Sequence, residues 1–325
     1  MAVEVPAALA ASHALHHGAA GRAWTARLPG LAAETLERWA LRPDGPPRHG
    51  AVALVLPVVR GDGSPAALKL QIDDPEHPGE AAALRAWDGD GAVRLLDEAT
   101  GDGGSILLLE RLDARRDLLA CGERRGLEVL AGLLRRLNAR PAPAGVPRLS
   151  AVAGAMVAAT SAAAKRLADP AERRTLRAWA ARVAEVAADA GDRLLHWDLH
   201  HENVLASARE PWLAIDPKPL AGDPGFELHP ALRGRWADVA GAADPGAVIR
   251  RRFDLLSEGL DRPRAVAWTL ARCLQDGLWE VEDGATRIDA VHLAIAEALD
   301  LKRASCPMLP SGVDERKGEA CARSW

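Results

Sequence analysis

Near Arg124 the chain changes its hydrophobic period. Upstream, apolar residues come in short runs broken by glycine and proline; downstream they recur at helical spacing through long Ala, Leu and Arg segments. Alternation with period two suits a pleated strand, and a period near 3.6 suits an amphipathic helix, so the two halves must build unlike layers. A β-rich N-terminal part and a mainly helical C-terminal part follow, an α+β chain. At 325 residues, one large domain or two unequal lobes is expected.

The upstream half reads in order. AVALVLPVVR at 51–60, the turn GDGSP and then AALKLQI form a β-hairpin. EAAALRAW, from Glu80, is helical; VRLLD, a glycine-rich turn at 101–104 and ILLLERL complete a β-β-α-β-β order. Downstream, helices are expected at about 124–138, 150–167 and 171–189, parted by Pro141, Pro143, Pro147 and Pro170, then at 247–260, 263–282 and 288–301. One β signal interrupts them: NVLA, the polar turn SAREP and WLAID, a second hairpin. The last 23 residues lose periodicity and read as a poorly ordered tail. The organisation expected is a lobe at 1–113, a helical lobe at 114–302 and a tail at 303–325.

Composition narrows the function classes. With 48% hydrophobic and 26% charged residues the chain is globular. Its net charge is −4 and its Lys and Arg are dispersed, so nucleic acid is not an expected partner. Cys121, Cys273, Cys306 and Cys321 are scattered and suit free thiols in a reducing cytoplasm. The opening MAVEVPAALAASHALHHG does not read as a secretory leader, and no stretch nears the roughly 18 apolar residues of a membrane span. A soluble cytoplasmic protein with no membrane partner is expected.

HWDLHHENVL at 196–205 leads into the second hairpin. As a zinc site, His196, Asp198, His200 and His201 have the wrong spacing, because H-E-x-x-H needs an i, i+4 pair and adjacent histidines point apart. As H-x-D-x-x-x-x-N the stretch suits phosphoryl transfer: Asp198 to orient and deprotonate an acceptor hydroxyl, Asn203 to hold Mg2+. Asp216 ends WLAID, 13 residues after Asn203, where a tight hairpin would bring it beside Asn203 as a second metal ligand. Lys69, on the strand AALKL, could reach nucleotide phosphates, and Glu80, 11 residues on, could pair with it. Singly these are a surface ion pair and a turn-forming acid; in this order and on these elements they form one constellation.

On HWDLHHENVL, AREPWLAIDPKPL, GDPGFEL at 222–228, EAAALRAW at 80–87, RRFDLL at 251–256 and WTLARCLQDGLWEVEDG at 268–284, the chain resembles the aminoglycoside phosphotransferase family. The likeness is to its branch of streptomycin 6-kinases and hydroxyurea phosphotransferases. It implies a protein-kinase-like two-lobed fold and ATP-dependent transfer of a phosphoryl group to a streptomycin hydroxyl, at the 6-position, conferring resistance. It further implies Asp198 as catalytic base, Asn203 and Asp216 as Mg2+ ligands, Lys69 and Glu80 at the phosphates, adenine held by backbone near Glu110 to Leu112, and a structural His196. A monomer acting on a small aminoglycoside is expected; hydroxyurea, or a non-catalytic nucleotide-binding module, is the alternative. The chain departs from protein kinases in having Asp216-Pro217-Lys218-Pro219 in place of D-F-G, and PDGPPRHGA at 43–51 in place of a glycine-rich loop.

Streptidine carries two guanidinium groups, which call for convergent carboxylates. Asp276, Glu280 and Asp283, at i, i+4 and i+7, share one helical face with Trp279 alongside to stack on a cation. On spacing alone a solvated acidic face is the favoured reading and only the resemblance raises the binding one; Asp223, Glu227 and Asp254 are the alternative acids.

Overall fold

The computed structural model describes residues 3–72, 78–101 and 103–299; the tail expected at 303–325 lies outside them. No helix was expected ahead of residue 51, but α1 (Ala7–Arg38) occupies that stretch. It doubles back at Gly18, whose φ of 53° and ψ of −123° no helix contains. His13 and Thr25 would lie ~18 Å apart along a straight helix, yet their Nδ1 and Oγ1 atoms are 2.9 Å apart. The limbs touch closely enough that a Cβ on Gly21 would meet the His13 carbonyl oxygen at 2.0 Å.

The sheet follows: β1 (Arg42–Pro43), β2 (Arg48–His49), β3 (Ala53–Val59), β4 (Pro65–Ile72), α2 (Glu80–Trp87), β5 (Leu95–Gly101) and β6 (Gly104–Glu110). Its order is β1-β3-β4-β6-β5, antiparallel throughout, with β2 also on β3. Alternation along β6 explains how it is covered. Ile106 and Leu108 join Trp24 and Leu28 of α1 in one apolar cluster, while Leu107 and Leu109 join Leu84 and Trp87 in another. Trp24 lies so close to the sheet that a Cβ on Gly104 would meet its ring at 2.0 Å.

The second cluster continues into the helical half. There lie β7 (Asp113–Asp117), α3 (Glu123–Leu137), α4 (Leu149–Arg166), α5 (Pro170–Val186), β8 (Arg193–Leu195), β9 (Val204–Ala206), β10 (Leu213–Ala214), β11 (Leu220–Gly222), α6 (Leu228–Arg233), α7 (Trp236–Ala240), α8 (Pro245–Leu256), α9 (Arg262–Glu282) and α10 (Ala290–Leu299). Helix starts follow Asp-Pro chemistry: Asp169 and Asp244 accept from backbone N–H groups of the first turns of α5 and α8, with Pro170 and Pro245 at the first helical position. Each such cap contributes about 1 kcal/mol. The chain thus forms two lobes, but the apolar core does not divide between residues 113 and 114. Trp87 of the sheet lobe packs with the helical lobe and donates its indole N–H to the Leu137 carbonyl at 3.0 Å.

Candidate active site

Residues 196–203 leave β8 and enter β9; residues 215–219 leave β10 and enter β11. Because β8 pairs with β11 and β9 with β10, the two loops run side by side between two small sheets. The Ile215 N–H donates to Asn203 O at 2.9 Å and the Lys218 N–H to His196 O at 3.0 Å. Trp197 and Asp216 take left-handed backbone, φ 65° and 57°, and Asp216 does so directly before a proline. Such positions cost on the order of 1–3 kcal/mol each and persist only where the surroundings enforce them.

His196 is fully buried and stacks on Trp87, ring centroids 6.2 Å apart. Its Nε2 is 2.9 Å from the Ile215 carbonyl, which can only accept, so Nε2 carries the proton. Burial depresses its pKa to about 4, leaving a neutral ring that ties one loop to the other. Asp198 follows, partly exposed, with Lys218 Nζ 3.4 Å and His200 Nε2 4.0 Å from its carboxylate. Asn203 donates its side-chain amide to the Asp198 carbonyl at 2.9 Å, which leaves the amide oxygen as a donor to a cation.

Lys69 Nζ lies 2.7 Å from both Glu80 carboxylate oxygens and 2.5 Å from Asp216 Oδ1. Burial works against the ammonium, but Asp216 and Glu80 outweigh it and hold the pKa above the usual lysine range. Lys69 in turn holds the Asp216 carboxyl below its ordinary value, while burial raises that of Glu80 against the pull of Lys69. The Asp216 side chain remains 49% exposed. A carboxylate and an amide oxygen at adjacent strand ends are the hard donors that Mg2+ prefers, so the residues present fit that ion. Glu110 accepts from Arg94 N at 2.7 Å and pairs with Arg209, so its side chain is engaged; Leu112 packs partly buried on the core.

A cavity of about 370 Å³ opens beside Asp198, and Asp276, Glu280 and Asp283 all line it together with Lys218, Arg272 and Trp279. The three acids differ in their surroundings. Asp276 is buried with Arg272 at 3.2 Å and Arg233 at 3.8 Å, which counter its charge, while His229, kept neutral by burial, lies 3.4 Å away through Nδ1. Glu280 accepts from His292 Nε2 at 3.0 Å, and His292 Nδ1 meets His229 Nε2 at 3.1 Å. Asp283 is exposed at the end of α9. Trp279 stacks on a cation as its position suggested, but on Arg272 of the same chain, 5.1 Å away. The imidazoles of His229 and His292 lie near Cys273, forming a buried group with ligand atoms within 4.8 Å of one another. His229 and His292 hydrogen-bond each other and His292 bonds Glu280, while His229 Nδ1 is buried without a hydrogen-bond partner.

The alternative acids face elsewhere: Asp223 pairs with Arg264 and Asp254 with Arg262. Glu227 is fully buried and its Oε2 accepts the N–H groups of His196 at 2.7 Å and Trp197 at 3.0 Å. Burial raises its pKa to about 7. No local pattern marks Glu227, because its partners lie 30 and 31 residues back. Lys218 was legible only as a cation two residues after Asp216.

A sheet lysine bound to a helix glutamate and a hairpin aspartate, with a second aspartate on the neighbouring loop, is an arrangement suited to phosphoryl transfer on a protein-kinase-like two-lobed fold. A solved amicoumacin kinase in complex with AMP-PNP and Ca2+ shares this fold at TM-score 0.55 and 15% identity, over 82% of this chain and 91% of that one. The chain matches the aminoglycoside/hydroxyurea antibiotic resistance kinases over residues 38–284 and belongs to that family. It is 52% identical over 300 residues to the streptomycin 6-kinase of Streptomyces griseus, covering 91% of this chain and 97% of that protein. It is 56% identical over 302 residues to the hydroxyurea phosphotransferase of Kitasatospora aureofaciens, covering 91% and 86% respectively.

Proposed function

We propose that the protein inactivates streptomycin by transferring the γ-phosphoryl group of ATP to a streptidine hydroxyl, at the 6-position, and so confers resistance. One observation carries the reading: Asp198 and the acidic face of α9 line a single cavity, so an acceptor bound to the acids presents its hydroxyl to the carboxylate. The hydroxyl oxygen forms the new bond to phosphorus, the bond from phosphorus to the β,γ-bridging oxygen breaks, and the hydroxyl proton passes to Asp198. Lys69, fixed by Glu80, holds the α and β phosphates, and the backbone at Glu110 to Leu112 receives adenine. Magnesium, when bound, neutralises phosphate charge, and Asn203 and Asp216 are the residues that would hold it. Glu280 and Asp283 attract the guanidinium groups, while Asp276 keeps Arg272 against Trp279.

Residues 1–113 then serve as the nucleotide lobe and 114–302 as the acceptor lobe of a monomer working in the cytoplasm, where ATP is available. Among the described residues no helix is long and apolar enough to cross a membrane. Hydroxyurea is the second reading, favoured by the 56% identity to a hydroxyurea phosphotransferase. Steady-state ATP consumption with streptomycin, other aminoglycosides and hydroxyurea separates the two. Streptomycin should give the highest kcat/KM; turnover with hydroxyurea alone would replace the first reading by the second.

A further inference from the structure

Lys218 sits between the two halves of the site. Its Nζ lies 3.4 Å from Asp198 Oδ2, it stands two residues beyond Asp216, and it lines the acceptor cavity. Its backbone is fixed twice over: Pro217 and Pro219 flank it, and its N–H is bonded to His196 O at 3.0 Å. The side chain is nonetheless 46% exposed, so the ammonium can leave Asp198 for a stronger anion. Of the other cations nearby, Arg233 lines the same cavity but lies on its Asp276 side, 3.8 Å from that carboxylate. Lys69 is buried between Glu80 and Asp216, and Arg272 is held by Gln275 and Asp276.

From this position we infer that Lys218 is a catalytic residue that binds the oxygens of the phosphoryl group as it passes from nucleotide to acceptor. The inference rests on the phosphotransferase reading above. As the acceptor hydroxyl closes on phosphorus and the ADP oxygen departs, negative charge spreads over the three transferring oxygens. An ammonium already beside Asp198, on a backbone that two prolines hold, meets that charge with little reorganisation. The hydroxyl proton goes to Asp198 and the electron pair of the broken bond to ADP. In the resting protein Lys218 pairs with Asp198, and it exchanges that carboxylate for the phosphoryl oxygens when both substrates are present.

The test compares wild type, Lys218→Ala and Lys218→Arg. Removing a cation that acts only on the transferring group should lower kcat about 100- to 1000-fold, with both KM values within about threefold, and arginine should recover part of the loss. Calorimetry with magnesium-ADP, with and without aluminium fluoride as a mimic of the transferring group, gives a readout that needs no turnover. Lys218→Ala should bind magnesium-ADP as wild type does and lose most of the fluoride-dependent gain in affinity. Equal weakening with and without fluoride overturns the inference, as does an unchanged kcat. A kcat that falls only at low pH and recovers fully at high pH also overturns it, because Lys218 would then merely keep Asp198 ionised. If the fluoride-dependent gain vanishes as expected while wild type phosphorylates no streptomycin, the substrate reading fails and the lysine assignment stands.

Discussion

Between residues 196 and 218 the reactive side chains ride on loops whose backbones bond to each other, whereas along α9 the acids are held chiefly by other side chains. Asp198 keeps its place through Asn203, the paired loops and the buried carboxylate of Glu227, none of which depends on its own charge. Asp276 is placed by the Arg272 guanidinium and Glu280 by His292, so the charge of each is bound up with its partner. Replacing the Asp198 carboxylate should therefore remove chemistry and spare structure. On α9 the same kind of change divides between recognition and stability according to the partner.

The largest effect tests the loop side. Asp198→Asn should lower kcat by roughly 100- to 10000-fold, while nucleotide affinity by calorimetry and the melting temperature stay near wild type. A large drop in melting temperature would mean that the loops rely on this charge after all. Next comes Glu227, which anchors those loops. Its folded pKa of about 7 stands above the ordinary 4.5, so the folded state holds a proton that the unfolded chain releases between those values. That stabilisation is complete below about pH 4.5 and is lost as pH rises towards 7. His196, held neutral with a pKa near 4, acts in the opposite direction, so only the difference from Glu227→Gln isolates the carboxyl. Denaturant unfolding should show wild type losing on the order of 3 kcal/mol relative to the glutamine variant over that window. Parallel curves would contradict a buried, protonatable anchor.

On α9, Glu280→Gln combined with Asp283→Asn should raise the streptomycin KM about 10- to 100-fold and leave the ATP KM unchanged, since charge-assisted partners contribute roughly 1.5–3 kcal/mol. Equal shifts in both constants would indicate damage to the fold. The smallest change in KM is expected from Asp276→Asn, about threefold or less, accompanied by a stability loss of about 1–3 kcal/mol as Arg272 loses its counter-charge. A selective tenfold rise in the streptomycin KM would instead make Asp276 a direct ligand of the acceptor.

Much of the loop side was legible because its geometry is local. A hairpin of known length brings Asn203 and Asp216 together, and spacing alone states the result. The pairing of Lys69 with Glu80 was legible from the strand and helix that carry them, and the structure brings both within 2.7 Å. The α9 acids were legible as a face but not as charges, since Arg272, His229 and His292 determine what each carboxylate can do, and two of those lie on other helices. Glu227 was illegible as an anchor for the same reason. The doubled-back α1 escaped because Gly18 and Pro29 break its period, and because Trp24 is placed by a contact with Gly104, 80 residues further along. The shared core was hidden too: alternation on β6 shows that both faces are buried, not that one of them belongs to the helical lobe.

The central claim is that one cavity presents a streptomycin hydroxyl to Asp198. Its most direct test is phosphorus and proton NMR of the product formed from streptomycin, ATP and Mg2+ by the purified full chain, run beside Asp198→Asn. A single phosphate ester on one streptidine hydroxyl, formed by wild type and not by the variant, is the result expected. A phosphate on the sugar side of the antibiotic, or product formed equally by both proteins, would contradict the account.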